Sequence, residues 1–585
     1  MSGDLRLPFA IRISRTGDIA ALESTLERAR NEEWATRLAD KDVTLWSQDP
    51  AVQAKIANRL GWLDAPTEFT AHIPTLEAFG DKMRDAGFTT AIVAGMGGSS
   101  LAPEVLATAF AEIDDWLKVR VCDSTDPSAV AAALRGLDPA STLVIVASKS
   151  GTTTETLSFA AYAAEWLGAA TGGAERALAS MIAISDPSPC IDGIPGSERM
   201  LERFLNPPDI GGRYSALSFV GLVPASLLGI DLDPLLAAGS VAAAELREPE
   251  PTANRAVALG AVIGALAREG RDKLTFVVDA PIDGFGAWAE QLVAESTGKH
   301  GVGVVPVDGE PLATVAEYAD DRLFVRISLD GGRPPVAADG SSVTTRLAEI
   351  AAAGHPVIDL RLGDPIDLGA EFVRWEAATA IAGVVLGINP FDEPNVTESK
   401  NNTAAVLTEL SAVGRLPELA PKASDGVLQI WVDDALPAAF SDDAVKLVAG
   451  QLQRLSPRGY IGIHAYLAAT RESTAALTEL RLMLRNATRR ATTVGYGPRF
   501  LHSTGQLHKG GAATGWFVQL VTSHPDDLAV PGKPYTFGQL IDAQSLGDAR
   551  SLVDHGLPVL RIHLGADPNA GIAAVTALFR RAIQG

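Results

Sequence analysis

The chain has 585 residues, of which 49 are Lys or Arg and 71 are Asp or Glu, so its formal net charge is −22. A surface this acidic repels phosphate backbones and anionic headgroups, which argues against general nucleic-acid binding and against docking on a membrane. Hydrophobic residues make up 47% of the chain and charged residues 21%, which is typical of a globular protein with a large core and excludes disorder as a class.

Cysteine usage and hydropathy point to a reducing, cytoplasmic compartment. Only Cys122 and Cys190 are present, so the chain is not a disulfide scaffold and has no CxxC-type metal site. The first residues carry charges and no continuous apolar segment, so we expect no signal peptide. The longest apolar run, at 256–267, falls short of the roughly 20 residues that a bilayer requires and predicts a buried helix.

Helical segments of mixed charge occupy residues 1–85, and apolar segments in three groups follow. Such segments, when helices separate them, are typical of parallel sheets covered on both faces. They lie at 91–94, 119–122, 143–147 and 181–185, then at 274–279, 323–327 and 356–362, and finally at 428–432, 460–465, 516–521 and 559–564. We therefore expect a helical N-terminal segment (1–85), two tandem α/β domains with doubly wound parallel sheets (86–240 and 241–425) and an additional C-terminal α/β block (426–585).

Two turns that follow predicted strands have the composition of anion sites. The first is GMGGSS at 95–100, where glycines let a ligand approach the backbone at a helix N-terminus. Dinucleotide binding is an alternative there, with Asp123 suited to a ribose hydroxyl, although the spacing is not GxGxxG. The second is SKSGTTTE at 148–155, whose hydroxyl groups exceed what one helix N-cap needs. This excess favours a phosphate without a nucleotide.

Two further segments carry groups suited to acid–base chemistry. In NPPDIGGRYS, the paired glycines would aim Arg213, which is always charged, at a fixed point where it could stabilise an oxyanion. In EQLVAESTGK, Gln291 and Glu295 are four residues apart and share a helix face, and Gly298 predicts the end of that helix. A partly desolvated carboxylate at such a position can act as a general base. A surface salt bridge and a solvated Glu are the structural alternatives.

The motifs GMGGSS, SKSGTTTE, DIGGRYS, EQLVAESTGK and GINPFDEPNVTESK occur in this order between about residues 90 and 400. Together they resemble the phosphoglucose isomerase family, and five motifs in one order are far more specific than any single motif. The resemblance implies that both α/β domains are of the sugar-isomerase (SIS) type. It also implies an aldose–ketose isomerase that interconverts glucose 6-phosphate and fructose 6-phosphate through a cis-enediolate, with no metal or other cofactor.

The resemblance also implies a role for each matching residue. The phosphate-binding loop would comprise Ser148, Lys149, Ser150 and Thr153, and the sugar-contacting turn would comprise Gly98 and Ser99. Gly212 and Gln291 would be the remaining substrate-binding positions. Glu295 would be the proton-transfer base, Arg213 the cation that stabilises the enediolate, and Lys400 the lysine near the ring oxygen. A second departure from the family pattern, besides the histidine described next, is Glu393, where many relatives have Gln.

Ring opening needs its own acid or base, most often His. The family's histidine normally lies between the Glu helix and the NPFD segment, where this chain has only His300 and His355, in no matching motif. The segment FLHSTGQLHKGG at 500–511 resembles the catalytic-histidine segment of bacterial members. We therefore expect His508 to open the ring, with His502 as the second candidate.

Overall, the chain most resembles the isomerase half of bacterial transaldolase–phosphoglucose isomerase fusions. Only about 85 residues precede the first loop, too few for a transaldolase barrel, so transaldolase activity is not expected. Family members are commonly dimers, which leaves a homodimer open. Two other functions also stay open at this point: a sugar-phosphate-binding regulatory protein without catalysis, and a dinucleotide-dependent oxidoreductase.

Overall fold

The computed structural model describes residues 6–111, 113–417, 420–432 and 443–584. Within these residues the chain forms three β-sheets. The strands are β1 (Ala10–Arg12), β2 (Thr90–Ala94), β3 (Lys118–Cys122), β4 (Thr142–Ala147), β5 (Met181–Ser185), β6 (Glu202–Leu205), β7 (Lys273–Val278), β8 (Val305–Val307), β9 (Arg322–Leu329), β10 (Val357–Leu362), β11 (Ala423–Asp425), β12 (Leu428–Val432), β13 (Tyr460–Tyr466), β14 (Ala491–Tyr496), β15 (Gly515–Val521) and β16 (Val559–His563).

Helices connect most of these strands and precede the first sheet, as the apolar pattern predicts. They are α1 (Thr16–Asn31), α2 (Trp34–Ala39), α3 (Pro50–Ala57), α4 (Ala65–Glu68), α5 (Ile73–Asp85), α6 (Gly98–Ala109), α7 (Pro127–Leu134), α8 (Thr154–Thr171), α9 (Ala174–Leu178), α10 (Phe219–Leu227), α11 (Leu232–Glu245), α12 (Arg255–Arg268), α13 (Gly284–Thr297), α14 (Val343–Ala352), α15 (Leu368–Leu386), α16 (Pro394–Val413), α17 (Ala444–Leu452), α18 (Arg471–Thr488), α19 (Gly505–Gly510), α20 (Phe537–Asp554) and α21 (Pro568–Gln584).

The first sheet is wholly parallel, in the order β3-β2-β4-β5-β6. Its central strands β2, β4 and β5 are buried on both faces because alternate side chains enter two different cores. In β2, Ala91 and Val93 pack in the large core that the N-terminal helices share, while Ile92 and Ala94 pack in a second core with α8. The sheet is therefore doubly wound, as predicted.

The second sheet has the order β1-β10-β9-β7-β8 and is parallel except at β1. Strand β1 was not anticipated, because three residues are too few to show an alternating pattern. It pairs antiparallel with β10, with Ile11 opposite Ile358. The N-terminal segment is thus helical as predicted, with one added edge strand. The predicted buried helix at 256–267 is α12, capped by the Asn254 side chain.

The C-terminal block forms the third sheet, β11-β12-β16-β15-β13-β14, whose last four strands are parallel. Strands β11 and β12 extend it as an antiparallel edge. An additional α/β block is therefore confirmed, while the domain boundaries at 85, 240 and 425 stay predictions. In the described part of the chain, no helix has the length and apolar character that a membrane span needs.

A cluster of ionisable side chains is buried inside the C-terminal block. The His464 and His508 rings stack with their centroids 4.7 Å apart, and the Asp548 carboxylate lies 3.3 Å from His464 Nδ1. Lys509 donates a hydrogen bond of 2.8 Å to Asp548, which ties α19 to α20. Burial, reinforced by the neighbouring His464, lowers the pKa of His508 well below its usual value, and burial likewise lowers the pKa of His464.

We expect stability to fall on mild acidification because these two imidazoles stay neutral in the folded state. An unfolded His titrates near pH 6.5, so below that pH the unfolded chain binds protons that the folded chain does not. Each such group lowers the free energy of unfolding by about 1.4 kcal/mol per pH unit until its folded-state pKa is reached. His508→Phe should remove one such contribution, measured as a smaller loss of Tm between pH 7 and pH 5.

The matched control is His300→Asn, because His300 is exposed and has a positive φ that Asn tolerates. This variant should keep the wild-type pH dependence of Tm. A His508→Phe variant that loses as much Tm on acidification as wild type would contradict the neutral state of His508.

Candidate functional site

A cavity of about 370 Å³ lies at the carboxyl ends of β2 and β4, the edge where ligands bind in parallel α/β sheets. Apart from His508, every site residue predicted from the sequence lines it: Gly98, Ser99, Ser148, Lys149, Ser150, Thr153, Gly212, Arg213, Gln291, Glu295 and Lys400. These residues come from loops of the first sheet, the C-terminal half of α13 and the start of α16. The structure thus brings both α/β sheets to one site.

Two glycine turns meet at the floor of the cavity. Gly97 has a φ of +58°, and a Cβ there would lie 2.7 Å from the Gln291 amide nitrogen. A Cβ on Gly98 would lie 1.9 Å from the carbonyl oxygen of Gly212. Both positions therefore require glycine, and the turn after β2 packs directly against the loop that carries Arg213.

The loop between β4 and α8 carries four hydroxyl groups. Ser148 Oγ and Thr153 Oγ1 lie 2.9 Å apart, as do Ser150 Oγ and Thr152 Oγ1. Thr153 occupies the N-cap of α8, yet its side chain makes no capping hydrogen bond. The first N–H groups of an 18-residue helix therefore face the cavity region without a side-chain cap. Such a helix end, with nearby hydroxyls, suits a phosphate group.

Lys149 belongs to the same loop, but its charge already has a partner. Its Nζ donates hydrogen bonds to Asp186 Oδ2 at 2.6 Å and to the Pro208 carbonyl at 3.0 Å. Burial raises the pKa of Asp186 even though Lys149 opposes that shift. The ammonium group of Lys149 therefore contributes less net positive charge to the cavity than its position in the motif suggests.

Arg213 is held rigidly below the cavity and is 4% exposed. Its Nε donates to Ser296 Oγ at 2.8 Å, and its Nη2 donates to the carbonyl oxygens of Pro390 and Asp392 at 2.9 and 3.0 Å. Three fixed acceptors on α13 and the loop before α16 thus set the direction of the guanidinium plane. Gly211 and Gly212 have no positive φ, and a Cβ on Gly212 would meet no atom within 4 Å, so the expectation that the glycine pair sets an unusual backbone path is wrong.

Two carboxylates face the remaining edge of this guanidinium. Arg213 Nη1 lies 3.1 Å from Glu393 Oε2 and 3.4 Å from Glu295 Oε1. Burial disfavours the charged form of Arg213, but the two carboxylates outweigh it and raise the pKa of the guanidinium. Glu393, the departure noted in the sequence, therefore occupies a place beside the principal cation of the site.

Glu295 is a buried carboxylate on the inner face of α13, one turn after Gln291. Burial raises its pKa, Arg213 opposes that shift, and Glu393 adds to it. Gln291 Nε2 donates to Glu295 Oε2 at 3.1 Å and to the His502 carbonyl at 2.8 Å. The carboxylate is therefore oriented by one amide and one guanidinium, while its other faces line the cavity.

Two lysines border the site differently. Lys400, on α16, is exposed and lines both this cavity and a neighbouring one of about 290 Å³. Lys299, which follows α13, is fully buried and donates to Asp392 Oδ1 at 2.8 Å. Burial, reinforced by Arg213, lowers the pKa of Lys299 to about 8. Lys299 thus stabilises the loop before α16 and does not line the cavity.

The structure places His502, and not His508, at the cavity. His508 lies on the next turn of the same segment, 3% exposed inside the C-terminal block. His502 Nε2 lies 3.1 Å from Glu155 Oε1, and the same oxygen accepts a 2.7 Å hydrogen bond from Gln544. His502 and Lys400 outweigh burial and lower the pKa of Glu155. His508 therefore does not line this cavity, whereas His502, the second candidate, does.

Several lining residues were not predicted from the sequence: Arg59, Met96, Gly97, Ala147, Asp186, Cys190, Gly211 and Val396. Of these, Asp186 follows a predicted strand, which is a usable signal at the carboxyl edge of a sheet. Glu155, the last residue of SKSGTTTE, has no role predicted from the sequence, although its carboxylate contacts His502. Arg59 precedes the first motif and offered no signal.

The geometry also bears on dinucleotide binding and on metal binding. Asp123, the candidate ribose ligand, does not line the cavity; its carboxylate lies 3.3 Å from Arg499, whose guanidinium also pairs with Glu104. Among the residues that the model describes, no group of three or more His, Cys, Asp or Glu side chains is arranged to hold a metal ion.

Comparisons with known proteins identify the family of this chain. The family model described as phosphoglucose isomerase matches residues 45–310. A solved structure of a hypothetical protein from Thermus thermophilus is similar, with a TM-score of 0.56 and 26% identity over 68% of this chain and 99% of that one. The matched regions include the first four motif-bearing loops.

Curated relatives cover the same region at moderate identity. A glucose-6-phosphate isomerase from Symbiobacterium thermophilum is 31% identical over 47% of this chain and 68% of the relative. A probable glucose-6-phosphate isomerase from Haloarcula marismortui is 30% identical over 60% of this chain and 83% of the relative. Another glucose-6-phosphate isomerase, from Rubrobacter xylanophilus, is 28% identical over 57% and 86%. The chain therefore belongs to the phosphoglucose isomerase family.

Proposed function

We propose that this chain is an aldose–ketose isomerase that interconverts glucose 6-phosphate and fructose 6-phosphate. The observation that carries the proposal is the pairing of a buried carboxylate, Glu295, with a rigid guanidinium, Arg213, 3.4 Å apart in one cavity with a hydroxyl-rich loop. The names of the curated relatives support the same reaction. The isomerisation needs all three parts at once, because the substrate carries both a phosphate and an ionisable C–H bond.

The phosphate group is assigned to the loop 148–153. Its hydroxyl groups and the N-terminus of α8 supply hydrogen-bond donors and the positive end of a helix dipole. With the phosphate there, the sugar carbons extend along the glycine turn at 97–99 toward α13. The missing Cβ of Gly98 lets the Gly212 carbonyl pack against this turn, which keeps the turn next to the loop that carries Arg213.

Glu295 is assigned the transfer of the proton between C2 and C1. A raised pKa brings a carboxylate closer to the operating pH, where a general base is most effective. Removal of the proton moves negative charge onto the substrate oxygens, which form the cis-enediolate. Arg213 is preorganised to stabilise that charge. In other enzymes, removing one such donor raises the activation free energy by about 3 kcal/mol.

Ring opening is assigned to His502 in place of His508. His502 Nε2 lies 3.1 Å from Glu155 Oε1, and Gln544 Nε2 donates a hydrogen bond to the same oxygen, which holds the Glu155 carboxylate in place. Gln544 Oε1 in turn accepts a hydrogen bond of 2.6 Å from Thr125, so the array is anchored in the first sheet. His502 belongs to the same chain as Glu295, and Lys400 lies on the facing side as a second polar group.

The regulatory-protein alternative explains less of this geometry. Sugar-phosphate binding alone requires the loop 148–153, but it does not require a desolvated carboxylate against a guanidinium. Burying Glu295 and Arg213 costs desolvation free energy that a binding protein would avoid. We also propose a homodimer and domain boundaries at residues 85, 240 and 425.

Glu295→Gln should abolish isomerisation while leaving ring opening intact. The amide keeps the shape of the carboxylate but cannot accept the C2 proton, so kcat for fructose 6-phosphate should fall about a thousandfold or more. A coupled assay measures isomerisation, and NMR exchange between the α and β anomers of glucose 6-phosphate measures ring opening.

Glu290→Gln on the same helix is the matched control. Burial, reinforced by Asp308, raises the pKa of Glu290 to about 8, so this group is already protonated at neutral pH. Its amide variant should keep kcat within about threefold of wild type. Near-normal turnover by Glu295→Gln would contradict the assignment of the base.

His502→Gln should show the opposite pattern. Enzyme-catalysed anomer exchange of glucose 6-phosphate should fall about a hundredfold, since general acid–base groups contribute on that order. His508→Gln, on the next turn of the same segment, is the control and should retain anomer exchange when folded. If His508→Gln lost anomer exchange and His502→Gln retained it, the original assignment would be restored.

A further inference from the structure

The charges around the cavity are unevenly used. Its lining includes four cations and three carboxylates: Arg59, Lys149, Arg213 and Lys400, and Asp186, Glu295 and Glu393. Lys149 is paired with Asp186, and Arg213 with both glutamates. Among the described residues, neither Arg59 nor Lys400 has a carboxylate partner within the 4.0 Å of an ion pair. Lys400 acts on Glu155 only by longer-range electrostatic attraction. These two side chains therefore carry the excess positive charge.

Arg59 comes from the N-terminal segment, outside all five motifs, and its backbone is well anchored. Trp62, three residues later, is buried and stacks on Tyr214 with ring centroids 5.3 Å apart. The Gly61 N–H donates to the Asp209 carbonyl at 3.1 Å. These contacts fix the segment against the loop 206–215, so Arg59 is held at the cavity by packing and not by chance.

The Arg59 side chain runs along the glycine pair of that loop. Its Cδ lies 3.6 Å from the place where a Cβ on Gly211 would stand. Nη1 donates to the Asn58 carbonyl at 2.7 Å, which leaves most of the five guanidinium N–H donors for other acceptors. At 3.6 Å a Cβ on residue 211 would be in ordinary van der Waals contact with Arg59, so the Arg59 side chain passes directly over Gly211.

Arg59 lines the same cavity as the phosphate loop 148–153. Its charge acts on Asp186, the partner of Lys149, and opposes the rise in the Asp186 pKa that burial causes. Arg59 also separates this cavity from an outer one of about 410 Å³, lined by Lys55, Asn58 and the loop 389–393. Arg59 is thus the cation at the boundary between the substrate cavity and the outer cavity.

We propose that Arg59 binds the phosphate group of the substrate, as a second wall opposite the hydroxyls of the loop 148–153. This inference rests on the proposed function. A phosphate monoester carries a charge of about −1.5 to −2 at pH 7, and Lys149 is already neutralised by Asp186. An Arg without a carboxylate partner supplies the missing charge and can donate two hydrogen bonds to phosphate oxygens.

The test compares Arg59→Gln with Lys55→Gln. Lys55 is exposed on α3, one turn before Arg59, and lines only the outer cavity, so both variants remove one positive charge from the same region. We expect Arg59→Gln to raise KM for fructose 6-phosphate about ten- to hundredfold, the worth of a charged hydrogen bond, with kcat within about threefold. Lys55→Gln should leave both constants unchanged, and Arg59→Lys should restore part of the affinity.

Calorimetric titration with inorganic phosphate separates this inference from the proposed function. The Kd for phosphate should rise in Arg59→Gln by a similar factor and stay unchanged in Lys55→Gln. If wild type bound phosphate in this way but did not turn over fructose 6-phosphate, the proposed function would fail and the role of Arg59 would stand. Equal phosphate Kd values for Arg59→Gln and wild type, or equal losses in both Gln variants, would overturn the role of Arg59.

Discussion

The buried contact between Arg213 and Glu295 is the constraint around which this molecule is arranged. A carboxylate and a guanidinium at 3.4 Å, both removed from water, are costly unless fixed dipoles replace the lost solvent. Here those dipoles are the Ser296 hydroxyl, two carbonyls before α16 and the Gln291 amide. The hydroxyl and the amide belong to α13, the carbonyls to the loop before α16, and Arg213 to the loop after β6, so the two α/β sheets must meet in one arrangement for the pair to be stable. The contact that stabilises the interface between the two α/β sheets is therefore also the contact on which the chemistry of the site depends.

The C-terminal block is joined to this centre by amide groups. Gln291 bonds to the His502 carbonyl, and Gln506 bridges from α19 to the Gly298 carbonyl and to Asn395. Further into the block, the Lys509–Asp548 pair fixes α19 from behind. An extra sheet thus does more than add mass to the chain. It holds a six-residue helix whose N-terminal side presents an imidazole to the cavity.

Most of the site was accessible from the sequence for a physical reason. In a parallel sheet the carboxyl ends of successive strands meet at one edge, so motifs that follow strands converge whatever the intervening helices contain. Six of the eleven predicted residues that line the cavity directly follow β2 or β4 and are there on that account, whereas Gln291, Glu295 and Lys400 lie on helices. The two histidines at 502 and 508 could not be separated in this way. They lie in one segment, and only the packing of His508 against His464 and Phe517 decides which of them is withdrawn. Likewise Arg59 lies before the first strand of its sheet, where no edge rule applies, and β1 is too short to give a period.

The pairing of β1 with β10 has a consequence for how the chain is assembled. Ile11 and Ile358 are neighbours in the sheet although nearly the whole isomerase region separates them in sequence. During synthesis, β1 must wait until β10 has been made before it finds its partner. The residues of β1 are unpaired backbone until then, and β10 is an open sheet edge until β1 pairs with it. Closing this edge is therefore a late, long-range step, and such steps slow folding more than local ones do. Strand β1 thus completes the second sheet after its other strands have formed.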